Sequence, residues 1–133
     1  MPLPSDFRDG AVVQNRPPCF EVERAPLRGA PGVRVRGEVD IDTAAELTAV
    51  LDAAIRDSRG AFVLDLCAVD FLDSSGVTVV LRALAMLGRS DRTLAVVCPP
   101  GPARRVFEVA GIADLLALFD SRDQVAASLR PAS

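Results

Sequence analysis

The chain contains no histidine, lysine, tyrosine or tryptophan, and each absence excludes a chemistry. Without histidine the commonest general base is missing, and a Ser-His-Asp triad cannot be assembled. Without lysine there is no phosphate-cradling P-loop and no Schiff base. All 15 basic residues are therefore arginine, set against 18 acidic ones for a net charge of −3. That balance gives no electrostatic footprint for direct nucleic-acid binding. No apolar run reaches the roughly 18 residues that a membrane span needs. The start "MPLPSDFRDG" has no basic region followed by an apolar one, so no signal peptide is read and a cytoplasmic protein is expected. Cys19, Cys67 and Cys98 are odd in number, widely spaced and without a CxxC pair, which argues against zinc and redox sites; no metal and no cofactor is expected. Cys67 and Cys98 close the apolar runs "FVLDLC" and "LAVVC", as buried reduced thiols do. Chemistry from Asp, Glu, Arg, Ser and Cys remains open in principle, but the chain reads as a non-enzyme.

What is present suits one globular domain: 133 residues, 50% of them apolar and 25% charged. Residues 1–18 carry Pro2, Pro4, Pro17 and Pro18 with no apolar period, and read as a disordered tail before a domain over 19–130. "CFEVER" and "VRVRGEV" alternate, so two strands joined by the turn "PLRGAPG" should form a hairpin. A helix follows, with Thr43 and Glu46 at capping-box spacing and a stripe of Leu47, Val50, Leu51, Ala54 and Ile55. "AFVLDLC" reads as a central strand covered on both faces. A second helix runs from the serine cluster to Gly88, "RTLAVVC" is a strand, and Pro102 opens a third helix. "LLALF" suits a short strand and "SRDQVAASL" a last helix. The alternation predicts an α/β fold: a mixed β-sheet with an N-terminal hairpin, parallel βα units and about four helices.

The stretch "VDFLDSSGVTVV" poses the functional question. Asp73-Ser74-Ser75-Gly76 makes a good helix start, because Asp and Ser oxygens accept N–H groups of the first turn. Glycine in that turn costs roughly 1 kcal/mol against alanine unless something approaches the backbone closely. The second reading is a serine phosphoacceptor at an exposed strand-to-helix turn, where a phosphate would meet open N–H groups and the positive helix end. An aspartyl phosphoacceptor at Asp65, Asp70 or Asp73, near strand ends, would need an essential lysine that the chain lacks. Along the same helix Val77, Val80, Leu81, Leu84 and Leu87 form the stripe. Val79, Ala83 and Met86 lie off it, either because the domain covers the helix on two sides or as an apolar patch for a partner.

Three segments, "VRGEVDIDTAAEL", "FVLDLCAVDFLDSSGVTVVLRAL" and "PARRVFEVAGIADLLALF", resemble the anti-sigma-factor antagonists of the STAS family in order and content. The resemblance implies partner switching. The unphosphorylated antagonist binds an anti-sigma factor that is a serine kinase, and a sigma factor is freed. The kinase phosphorylates the serine directly after the aspartate, here Ser74, and a metal-dependent serine phosphatase acts transiently to reset it. By position, Asp40 matches the acidic partner contact of the family's "GE-D" segment, while Asp73, Ser75 and Gly76 match the rest of the loop. The alternative within the resemblance is a non-switching STAS scaffold subunit of a stress-sensing or lipid-transport assembly.

Overall fold

The structure, a computed structural model, describes residues 20–129; the tail expected over residues 1–18 lies outside them. Five strands form one sheet in sequential order. Strand β1 (Glu21–Arg24) pairs antiparallel with β2 (Gly32–Val39), giving the expected hairpin. Strands β3 (Phe62–Leu72), β4 (Leu94–Val97) and β5 (Ala117–Phe119) then add in parallel.

Between the parallel strands run α1 (Ala44–Arg56), α2 (Ser74–Gly88) and α3 (Pro102–Val109), with α4 (Arg122–Ser128) after the last strand. Because strand order advances in one direction, right-handed crossovers put α1, α2 and α3 on one face of the sheet. That face holds the main core, where Val33, Val35, Leu47, Leu51, Leu64, Val80, Leu87, Val96 and Phe107 meet. The opposite face carries α4 and a smaller cluster around Val63, Val97 and Val125.

Two sequence expectations are corrected here. The central strand does not stop at Cys67 but runs on to Leu72, so Asp65 lies inside a strand and is almost fully buried rather than near a strand end. Cys67 is exposed, and only Cys98 is the buried thiol expected of both. The reason lies in the second face: α4 covers β3 as far as Asp65 and leaves the next outward position open. The helix-α2 alternative resolves toward coverage by the domain: Val79 and Ala83 are buried, and Met86 packs at the core margin.

The open half of the second face is covered by charge. Register places Glu23 beside Arg34 and Arg34 beside Asp65. Their side chains form a line of ion pairs, 3.5 Å from Arg34 to Glu23 and 3.6 Å from Arg34 to Asp65. Arg122 of α4 ends it at 2.9 Å from Asp65. Burial alone would raise the Asp65 carboxyl, but the Cys67 N–H and the Arg122 guanidinium outweigh it and hold it below its ordinary value.

Candidate functional site

Strands β2 and β3 end side by side, with Val39 opposite Leu72, and each is followed by an aspartate. The Asp73 N–H donates to the Val39 carbonyl at 3.2 Å, which holds the two exits together. Gly37, at φ 93° beside a register shift, supplies the left-handed residue that turns the end of β2 toward this point.

The two aspartates do the same local work. Asp40 Oδ1 accepts from the Asp42 and Thr43 N–H groups at 2.9 and 3.2 Å. Asp73 Oδ1 accepts from the Ser75 and Gly76 N–H groups at 2.9 and 3.3 Å. The Asp73 carboxylate thereby caps α2, while that of Asp40 fixes the turn leading into α1. The capping box expected of Thr43 and Glu46 does not form: Thr43 makes no side-chain cap bond. Its hydroxyl turns back to the strand, accepting from the Asp40 N–H and donating to the Glu38 carbonyl, each at 3.0 Å.

Ser74 is the first residue of α2 and is exposed; Asp73 and Ser75 are half-buried and Gly76 is buried. The Ser74 carbonyl accepts from the Thr78 hydroxyl at 3.0 Å, so backbone on both sides of the serine is fixed while the residue itself stays exposed. One expectation changes. The Ser75 and Gly76 N–H groups are taken by Asp73, so a phosphate on Ser74 would not find them open. Gly76 also has its structural reason, since Leu72 and Val39 press against the position a β-carbon would occupy.

Sequence reasoning missed the surroundings. An apolar groove of about 360 Å³ runs between α2 and α3, lined by Ser74, Val77, Arg105, Val106, Val109 and Ala110. Val109 is 77% exposed, and two more large apolar side chains stand open beside the aspartates: Ile41, after Asp40, at 75%, and Phe71, two before Asp73, at 47%. The signal in the sequence was faint, namely apolar residues off the α3 stripe next to the doubled arginine. Among the described residues no cluster of acidic and thiol groups suited to a metal occurs, and no helix is long and apolar enough to cross a membrane.

Comparison with known proteins gives a consistent answer. The family described as "Mlab, STAS domain" matches residues 24–118. The anti-sigma-F factor antagonist RsfB of Mycobacterium tuberculosis is 30% identical over 105 residues, covering 79% of this chain and 85% of that protein. An anti-sigma-B factor antagonist of Staphylococcus aureus is 31% identical over 84 residues, covering 63% and 78%. Among solved structures, an anti-sigma factor antagonist from Mycobacterium paratuberculosis superposes with a TM-score of 0.79 at 28% identity, over 89% of this chain and all of that one. With the matched segment spanning most of the sheet and the whole aspartate–serine loop, this chain belongs to the STAS domain family, among its anti-sigma-factor antagonists.

Proposed function

We propose that the chain is a partner-switching antagonist controlled at Ser74. Unphosphorylated, it binds an anti-sigma factor serine kinase, and a sigma factor is released for transcription. The kinase then transfers the γ-phosphoryl group of ATP to the Ser74 hydroxyl. An Oγ–P bond forms, the bond from γ-phosphorus to ADP breaks, and the hydroxyl proton passes to the kinase or to water. The chain contributes only a hydroxyl, in keeping with a composition lacking histidine and lysine, and catalyses nothing itself. A serine phosphatase reverses the modification in the cytoplasm.

The observation that carries this reading is the placement of Ser74. The serine is an exposed residue at the first position of a helix whose start is pinned by Asp73, and it lines an apolar groove. Asp73 and Ser75 flank it in the loop and Asp40 follows the neighbouring strand; these serve as the partner-binding polar set, with Ile41, Phe71 and Val109 as exposed apolar anchors. Gly76 belongs to the same set indirectly: being buried, it lets α2 settle close to the strands. A phosphate adds about −1.5 to −2 charges beside two carboxylates. Like charges pressed into an interface cost several kcal/mol, on the order of a hundred-fold or more in affinity.

The test is incubation with the cognate anti-sigma kinase and ATP, with the phosphate mapped by mass spectrometry. Label on Ser74, tight calorimetric binding by Ser74→Ala and weak binding by Ser74→Asp are expected. A chain that binds its partner yet never takes label would be a non-switching scaffold, and the proposal would fail.

A further inference from the structure

We propose that a phosphate on Ser74 is gripped by Arg105 across the α2–α3 groove, so that phosphorylation closes the groove as well as charging its rim. The inference rests on the reading of Ser74 as phosphoacceptor and adds to it a device within this chain.

The helix start cannot neutralise the phosphate, because Asp73 already takes the Ser75 and Gly76 N–H groups and adds a carboxylate beside it. Asp40 follows the neighbouring strand, with its own carboxylate bonded to backbone N–H groups. A dianion in that company needs a cation. Helices α2 and α3 leave the same ends of adjacent parallel strands, which brings Ser74, the first residue of α2, and Arg105, in the first turn of α3, to one groove.

Arg105 is the cation available. Its neighbour Arg104 is committed, bonded to the Cys98 carbonyl and to Asp120. Arg82 of α2 is committed to Asp52. Among the described residues Arg105 has no ion-pair partner, is exposed, and is the only charged residue lining the groove. Guanidinium and phosphate match as a planar fork against paired oxygens. Closing that pair lays the arginine stem over Val77 and Val106, covering apolar wall that a partner would otherwise use.

The test places phosphoserine at position 74 during translation, so that no kinase is required, in the full chain and in Arg105→Gln and Arg105→Lys. Phosphorus NMR then follows the second ionisation of the phosphate with pH. An ordinary phosphoserine ionises near 6; the unmodified background should ionise lower than Arg105→Gln by about half a pH unit or more, with Arg105→Lys between them. Methyl signals of Val77, Val106 and Val109 should shift on phosphorylation in the parent and not in Arg105→Gln. Equal ionisation and equal methyl shifts in the two proteins overturn the latch. Binding to an anti-sigma factor is read separately. Loss of binding with equal ionisation rejects the latch and leaves partner switching standing, whereas a lowered ionisation with undiminished binding supports the latch and rejects the switch.

Discussion

Gly76 lies so close to Leu72 that a β-carbon at position 76 would sit 2.7 Å from the Leu72 Cγ, and 3.0 Å from the Val39 Cγ1. Leu72 is itself buried, and the clash is with the branch point of its side chain rather than a movable end. Gly76→Ala should therefore destabilise by about 1–2 kcal/mol through overpacking, although alanine is the better helix former by about 1 kcal/mol. Urea unfolding measures this. An increase in stability would show that the helix can rise off the strands at no cost.

Asp73 separates into two functions. Asp73→Ala removes the acceptor for two N–H groups and should cost about 1 kcal/mol. Asp73→Asn keeps an oxygen in place and should cost clearly less, while removing the charge next to Ser74. Matched losses in the two variants, measured by denaturant unfolding, would mean that charge rather than hydrogen bonding starts the helix.

The Asp65–Arg122 pair predicts an acid-side response. The Asp65 carboxyl is held below its ordinary value, so its stabilising contribution is present above the unfolded value near 4. It is lost as pH falls through the folded value. Arg122→Met leaves burial to raise the carboxyl with less to oppose it. Stability near neutral pH should drop by about 1–3 kcal/mol, and the acid unfolding midpoint should move to higher pH. A midpoint that stays in place would show that Arg34 and the Cys67 N–H suffice.

Cys67 is open to solvent yet a poor nucleophile. Desolvation at the sheet surface, then the hydrogen bond to Asp65, push its thiol up to about 11. Burial pushes Cys98 up to about 11 as well. In a Cys19→Ser background, alkylation of Cys67 should climb about tenfold per pH unit from 7 to 10 without levelling. A plateau near pH 9 would indicate an ordinary thiol.

The order of strands and helices was legible because each is written locally. Val33 and Val35 alternate with Arg34 and Arg36, Leu47 and Leu51 mark a helical stripe, and Pro102 opens α3 as its first residue. The loop Asp73–Gly76 was legible as a helix start for the same reason. What could not be read depends on residues far apart in sequence. Arg122 meets Asp65 across 57 positions, and that contact decides where cover ends and why Cys67 is exposed. The groove needs α2 and α3 side by side, which no single segment specifies. Thr43 misled because its hydroxyl had a nearer partner in the Glu38 carbonyl, a choice set by the angle at which the strand delivers the chain. Gly76 misled in the opposite sense: the closeness that demands glycine comes from the protein's own Leu72.

The line of alternating charges on the second face has a consequence for how the molecule keeps company. Another sheet laid against Glu23, Arg34, Asp65 and Arg122 would find neither an apolar strip to bury nor a run of one sign to neutralise. Large apolar side chains stand open away from those four, at Ile41 after β2, at Val109 ending α3 and at Leu115 beyond it. Under the proposed partner switching, copies of the chain can then crowd sheet to sheet without these four side chains holding them together.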